Sequence, residues 1–206
     1  MNFSMTKKVL LGVTFVAVAV MMLTSPISAD TVSSFFAVVK ADKKTIDATI
    51  ISSSEIEEVG AYGYGVITSD GLGAILVTTT HGGIQDSAAQ SDASDASFHN
   101  HYVALTNNAE DAKCPGLEVV DITWDAPGDV TVIDNVAVID APTKFKSTHS
   151  LTGDKIKFKT EGPVGAVVSF TIDPVDVNGN TIENVADLAA VCINDVTSAS
   201  DPESEE

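Results

Sequence analysis

Hydrophobic and polar residues alternate along most of the chain, and the 3.6-residue period of a helix is almost absent. In the segment Lys155–Lys159, the lysines fall on one face of a strand, and Ile156 and Phe158 fall on the other. Similar short runs, rich in β-branched and aromatic residues, are separated by Gly, Pro, Asn and Asp. The pattern predicts these strands: Ser34–Val39, Thr45–Ser52, Val59–Thr68, Ala74–Thr80, His99–Thr106, Leu117–Trp124, Val130–Ile139, Lys155–Thr160, Val164–Ile172 and Ala186–Ile193.

Many short strands separated by turns are typical of an all-β, antiparallel β-sandwich. We therefore expect one sandwich domain over residues 30–197, in which Ala186–Ala190 could equally form a helical turn. In the run Gly60–Gly65, the two tyrosines alternate with Ala61, Gly63 and Gly65, so a strand there has one face without large side chains. This pattern favours a close-packed or bent strand over a platform for a ligand or partner chain.

The two ends of the chain differ in composition from the rest. Lys7 and Lys8 precede an uncharged apolar run, Val9–Leu23, and small residues follow it as far as Ala29. This order predicts a signal peptide over residues 1–29, with an uncleaved N-terminal anchor as the alternative. We therefore expect a protein that is secreted, extracellular or in the cell envelope. Residues 198–206 are acidic and lack apolar side chains beyond one alanine, which predicts a disordered tail.

The protein is strongly acidic, with a formal net charge of −18, and its 11 basic residues are all lysines. Without arginine it lacks the planar fork that binds phosphate at two points, and its negative field repels other polyanions. The composition therefore argues against binding to nucleic acid or to an anionic membrane surface. It leaves self-association or partners in the envelope open.

Cys114 and Cys192 are the two cysteines of the sequence. An even count in an exported chain predicts a disulfide between them, which would stabilise the fold by about 4 kcal/mol through loop closure. A thiolate metal ligand at Cys114 is the alternative, but neither cysteine has the Cys-x-x-Cys or Cys-loop-His spacing of a metal site.

Three of the 4 histidines flank one proposed hairpin loop, Gly82–Ser97. His81 ends the preceding predicted strand, while His99 and His101 point to the same side of the next one. If the two strands pair, the three imidazoles meet and form a site for zinc or copper. Loop side chains could accept the second ring N–H of each histidine and so orient it. The candidates for this second shell are Asp86, Gln90, Asp92 and Asp95.

The segment Phe98-His99-Asn100-His101, with one cysteine in mid-chain and one late, locally resembles copper/zinc superoxide dismutase, whose strand ligands include a similar His-x-His pair. The further histidines and aspartate that follow this pair in that family have no matching positions here, and His81 precedes the pair. The resemblance implies that a His-x-His strand on a sandwich can hold a metal.

Several alternatives compete with this metal site. His99 and His101 could be ordinary strand residues, and His149, between Thr148 and Ser150, is expected at the surface. Calcium bound by the aspartates of the loop is less favoured, because the glycine and glutamate spacing of an EF-hand is missing. The chain has no Gly-x-Ser-x-Gly sequence, and whether it is an enzyme stays open. The sequence thus leaves two functions: a metal-binding protein, or an extracellular domain for adhesion or assembly without metal.

Overall fold

A computed structural model describes residues 34–107, 113–160, 162–182 and 185–200. The predicted signal peptide lies outside these residues. Within them the chain forms short 3-10 turns at Gly71–Gly73 and Val185–Asp187 but no α-helix. None of the helical segments in the described ranges is long and apolar enough to cross a membrane. The strands are β1 Phe35–Ala41, β2 Thr45–Ser52, β3 Ala61–Thr68, β4 Ile75–His81, β5 His99–Thr106, β6 Leu117–Ile122, β7 Asp129–Ile133, β8 Val136–Pro142, β9 Lys144–Thr148, β10 Lys155–Lys159, β11 Val164–Val175 and β12 Ala190–Ser198.

Six strands close into a barrel in the order β11-β12-β6-β5-β4-β3, and β3 pairs with β11 to complete the ring. Every neighbouring pair of the barrel is antiparallel. The predicted all-β, antiparallel fold is therefore confirmed. The bounds of β2 and β5 are those that the alternation of side chains predicts.

A four-stranded sheet, β1-β2-β8-β7, packs against the outside of the barrel wall, next to the β9–β10 pair. Its inward residues include Ile46 and Ile139, which share one core with Leu76 and Tyr102 of the barrel. Side chains that point into the barrel form a second apolar core, which includes Val77, Val103 and Phe170. In the described residues the barrel wall thus separates an outer core from an inner core, and a smaller third cluster surrounds the Cys114–Cys192 pair.

Strands β4 and β5 are the part of the wall that is buried on both sides. Leu76 and Tyr102 face the outer core, whereas Val77 and Val103 face the barrel interior. Because side chains alternate along a strand, His81 shares the inner face with Val77, and His99 and His101 share it with Val103. The pairs Val77–His101 and Thr79–His99 place these inner faces side by side.

The glycine-rich strand β3 gives the barrel one of its closest contacts. A Cβ atom on Gly63 would collide with the carbonyl oxygen of Thr78 and would lie 2.8 Å from Thr79 Cγ2 and 3.1 Å from Phe170 Cζ. The absence of a side chain therefore lets β3 approach β4 while Phe170 of β11 fills the interior. Tyr64 points the other way and packs edge-on against Phe35, with the ring centroids 5.4 Å apart.

Apart from shifts of up to three residues at strand ends, the structure differs from the predicted strands in three places. Val130–Ile139 is a hairpin of β7 and β8, with Asp134 in the left-handed region at φ 53°. Strand β9 was not predicted, although it alternates. Ala186 belongs to a 3-10 turn, and β12 runs from Ala190 to Ser198, so that the predicted tail begins as strand. Residues 201–206 of that tail lie outside the described chain.

The predicted disulfide between Cys114 and Cys192 is present, with a Cα–Cα distance of 5.3 Å. It lies beside a short stretch of pairing, since β12 and β6 are in register at Cys192–Glu118 and Ile193–Leu117. The cross-link therefore holds together the neighbouring strands at this seam of the barrel.

Candidate metal centre

Four side chains converge inside one end of the barrel. His81 is the last residue of β4, and His99 and His101 lie at the start of β5. The loop between these strands folds back and brings Asp86 against all three imidazoles. One ligand atom from each of the four residues lies within 4.8 Å of the others. The structure thus brings together the three predicted histidines, and it places Asp86 among them rather than behind them.

The spacing of the four ligand atoms fits a single small cation. Asp86 Oδ2 lies 3.3 Å from His81 Nε2, and Asp86 Oδ1 lies 3.3 Å from His99 Nε2 and 3.5 Å from His101 Nε2. A tetrahedral ion with metal–ligand distances of about 2.1 Å would separate neighbouring ligand atoms by about 3.4 Å. The distances from Asp86 to the three imidazoles therefore match those around a tetrahedral ion, and all four ligand atoms lie within 4.8 Å of one another.

Hydrogen bonds to the backbone orient two of the imidazoles. His99 Nδ1 lies 2.8 Å from the carbonyl oxygen of Ser97, and His101 Nδ1 lies 2.7 Å from that of Thr123. A carbonyl oxygen can only accept, so each Nδ1 carries the hydrogen and donates it. In a neutral ring this leaves the lone pair on Nε2, the atom that faces Asp86. Such second-shell hydrogen bonds commonly fix metal-binding histidines in this tautomer.

The inward-facing atoms of the cluster have no hydrogen-bond partner. Asp86 Oδ1, His99 Nε2 and His101 Nε2 are all buried, and none makes a hydrogen bond. Burying polar atoms without partners costs free energy, and lone pairs that face each other repel. A cation among them would convert each of these contacts into an attractive one.

The electrostatics of Asp86 favour a carboxylate at this position. Burial raises the pKa of its carboxyl, but the positive charge of a protonated His101 and the hydrogen-bonding contacts with the three imidazoles outweigh burial and hold the pKa well below its usual value of 3.8. The carboxylate form is therefore stabilised by positive charge at this position, and a divalent metal ion held by the imidazoles would supply that charge in place of the proton.

The other three residues that were expected to orient the imidazoles form hydrogen bonds within the loop and not with the rings. They are Gln90, Asp92 and Asp95. Gln90 Oε1 accepts from the backbone N–H of Asp86 at 3.0 Å, and Gln90 Nε2 donates to the carbonyl of Asp95 at 2.9 Å. The Asp95 carboxylate accepts from the N–H and the hydroxyl of Ser97, whose own carbonyl orients His99. Asp92 is exposed and accepts from the N–H and hydroxyl of Ser94.

His149 is buried and not at the surface, with 8% of its area exposed, and it lies outside the cluster. Its Nδ1 accepts from the N–H groups of Leu151 and Thr152, and its Nε2 lies 3.2 Å from the carbonyl oxygen of Val120. Nδ1 therefore holds the turn between β9 and β10, and Nε2 connects this turn to β6. The expected surface position of His149 is wrong because its hydrogen bonds replace those with water.

The fold and the cluster together define an all-β protein with a buried site of three histidines and one aspartate that can hold a metal ion. Comparison of the sequence with protein families, and of the chain with curated proteins and solved structures, finds no match.

Proposed function

We propose that this chain is an exported metal-binding protein, secreted or in the cell envelope, whose barrel holds one zinc or copper ion through His81, Asp86, His99 and His101. The observation that carries the proposal is that Asp86 Oδ1, His99 Nε2 and His101 Nε2 are buried without hydrogen-bond partners and that the carboxylate lies 3.3–3.5 Å from these two nitrogens. A disulfide supports the location, because such bonds persist in oxidising compartments.

The donor set narrows the choice of metal. Three imidazole nitrogens and one carboxylate oxygen suit Zn²⁺ and Cu²⁺, whereas Cu⁺ prefers thiolate and thioether sulfur. The cluster contains neither cysteine nor methionine, and both cysteines are joined in the disulfide. Calcium prefers six to eight oxygen ligands, and this site offers one carboxylate.

The test begins with the mature chain, purified with its disulfide intact and stripped of metal by a chelator. Zn²⁺ and Cu²⁺ are then titrated separately, and the bound metal is measured by elemental analysis after gel filtration. We expect one equivalent in the wild type and none in His99→Ala or His101→Ala. The matched controls are His149→Gln, which removes a buried histidine outside the cluster, and Asp92→Asn, which alters an exposed carboxylate of the same loop. Equal metal content in wild type and cluster variants would refute the proposal.

A specific surface favours a second function, assembly without metal. Val38, Ile51, Ile133 and Val138 are exposed on the outer face of the four-stranded sheet, and Val38 and Ile133 are each at least 65% exposed. Val38 and Val138 both pair with Thr49, so that they lie on one continuous face. Contiguous apolar surface of this kind marks sites of association. Sedimentation over a range of protein concentrations tests this second function. We expect Val38→Lys to reduce association of the chain. A wild-type chain that stays monomeric at every concentration would refute the function.

A further inference from the structure

The interior of the barrel contains a cavity of about 190 Å³ that reaches the metal cluster. Most of its wall is aliphatic or aromatic, and His81, Asp86 and His101 of the cluster are part of its lining. Cavities of roughly 150 Å³ in protein cores accept molecules such as benzene. The space is therefore large enough for a small organic molecule. Its apolar wall includes Val77, Val103, Val168, Phe170 and Ile193.

The polar side chains along this wall differ in whether they have hydrogen-bond partners. Glu118 accepts a hydrogen bond from the N–H of Lys113, and both ring nitrogens of His149 are engaged as described above. Thr79, by contrast, is 5% exposed, and its hydroxyl has no hydrogen-bond partner. Thr79 pairs with His99 across the strands and lines the cavity beside His81 and His101. One unpartnered hydroxyl therefore lies next to the metal cluster, on the same wall.

Charge indicates what kind of molecule the cavity would accept. A divalent ion with one carboxylate and three neutral imidazoles has a net charge of about +1. In apolar surroundings this charge favours an anion, and a hydroxyl at the same place favours an acceptor oxygen. Because the rest of the cavity wall is apolar, the remaining part of the ligand should also be apolar. Exposed Leu151 and Val120 are part of the lining, so the cavity reaches the protein surface.

We propose, building on the metal site proposed above, that the barrel binds a small monocarboxylate with an apolar body. One carboxylate oxygen coordinates the metal as a fifth ligand, beyond the four protein side chains, the other accepts a hydrogen bond from Thr79, and the apolar body fills the barrel interior. The metal ion would then bind the carboxylate of the ligand as well as the four protein side chains.

The experiment uses the full mature chain loaded with Co²⁺, whose visible absorption reports its coordination. Bound cobalt is quantified first, and the protein is then titrated separately with benzoate, acetate and benzyl alcohol. We expect a saturable change of the spectrum with benzoate at a concentration at least tenfold lower than with acetate. Benzyl alcohol should leave the spectrum unchanged, because it brings no negative charge.

Two variants test where the molecule binds. Thr79→Val should weaken benzoate binding at least threefold at unchanged cobalt content. Its matched control is Thr78→Val, because the Thr78 hydroxyl is also buried without a partner but faces the outer core. Val168→Phe, which fills the cavity, should abolish the response to benzoate while cobalt still binds.

The possible results separate the two proposals. If cobalt binds but benzoate leaves the spectrum unchanged, or acts no more strongly than acetate, the ligand proposal fails and the metal site stands. If Thr79→Val and Thr78→Val bind benzoate equally well, the assigned position of the carboxylate is wrong. If no cobalt binds, both proposals fail together.

Discussion

His101 donates a hydrogen bond from Nδ1 to the carbonyl oxygen of Thr123, and the two atoms are 2.7 Å apart. Thr123 follows β6 directly and is itself tied to β5, since its hydroxyl accepts from the N–H of Tyr102 and its own N–H donates to the Tyr102 carbonyl. The Thr123 carbonyl, which sets the tautomer of His101, is thus held in place by Tyr102, the residue that follows His101 in β5. The orientation of this imidazole is a property of the barrel wall.

Thr123→Val should therefore weaken metal binding without removing a ligand. The valine keeps the shape of threonine but leaves the buried N–H of Tyr102 without an acceptor, at a cost of about 1–3 kcal/mol of stability. Loss of support behind a ligand typically lowers metal affinity by about 10- to 100-fold. Competition with a chelator of known affinity measures the change. Thr131→Val, on the outer sheet, is the control, and an unchanged metal affinity in Thr123→Val would contradict the argument.

Asp86→Asn should lower the stability of the metal-free protein and, more strongly, its affinity for metal. In the metal-free protein at pH 7 it removes a carboxylate whose lowered pKa means that the folded state favours the charged form, so the melting temperature should fall. With metal, the variant loses a charged ligand, and its affinity should fall by more than about 100-fold, beyond the usual effect of an outer-shell change.

Thermal unfolding with and without one equivalent of Zn²⁺ separates the two effects. A metal at 100 times its dissociation constant stabilises the folded state by about 2.7 kcal/mol, so the wild type should gain visibly and Asp86→Asn should not. An Asp86→Asn variant that gains as much from Zn²⁺ as the wild type would contradict the role of Asp86 as a ligand.

Three carboxylates lie side by side on the exposed face of the outer sheet, because Asp140 pairs with both Asp47 and Asp129. The hydrogen bond shared with Asp47, followed by burial and the charges of Asp47 and Asp129, raises the pKa of Asp140 above 3.8. The folded state therefore binds this proton more tightly than the unfolded state does. Stability from this group is present at low pH and is lost as the pH rises through the folded-state pKa.

Asp140→Asn should accordingly raise the melting temperature at pH 7, and the gain should shrink as the pH falls from 7 through the raised pKa of the wild-type carboxyl. Asp187→Asn makes the same change in net charge at an exposed position on the 3-10 turn and serves as the control. Thermal unfolding of the three proteins across this pH range is the measurement. A gain that is constant with pH would refute the role of the shared proton.

Gly63→Ala should destabilise the barrel, because the added methyl group meets the backbone carbonyl of Thr78, which cannot move without shifting β4. Overpacking of this kind typically costs about 1–3 kcal/mol or more. Gly65→Ala is the matched control on the same face, since its methyl group would meet Ile75 and Val168 at 3.4 Å, an ordinary contact. Denaturant unfolding compares the two variants. Equal losses of stability would show that the close approach at Gly63 is not limiting.

Alternation along single strands was enough to predict much of the fold. It located β2 and β5 to the residue, and it placed His99 and His101 on one face. It could not show that β3 pairs with β11, since closure of a barrel depends on register between distant strands. The hairpin at Asp134 was missed because its turn contains Asp and Asn without the glycine that marks most such turns.

The role of Asp86 was underestimated because the loop offers several aspartates with similar spacing. A local signal does separate them. Asp92 and Asp95 are each followed two residues later by a serine, and each carboxylate accepts the N–H and hydroxyl of that serine. Asp86 has alanine at that position, so its carboxylate has no local donor and is free to face the barrel. Local turn chemistry therefore identifies the aspartate that is left for a ligand.

Strands β4 and β5 belong to both cores, with the metal cluster on one face and Leu76 and Tyr102, both fully buried, on the other. Detaching the outer sheet would wet these residues and loosen the strands that carry the histidines. Gain or loss of an ion should consequently be felt by the entire domain as a single cooperative transition. The supply of metal would then govern how long each molecule survives in the presence of proteases.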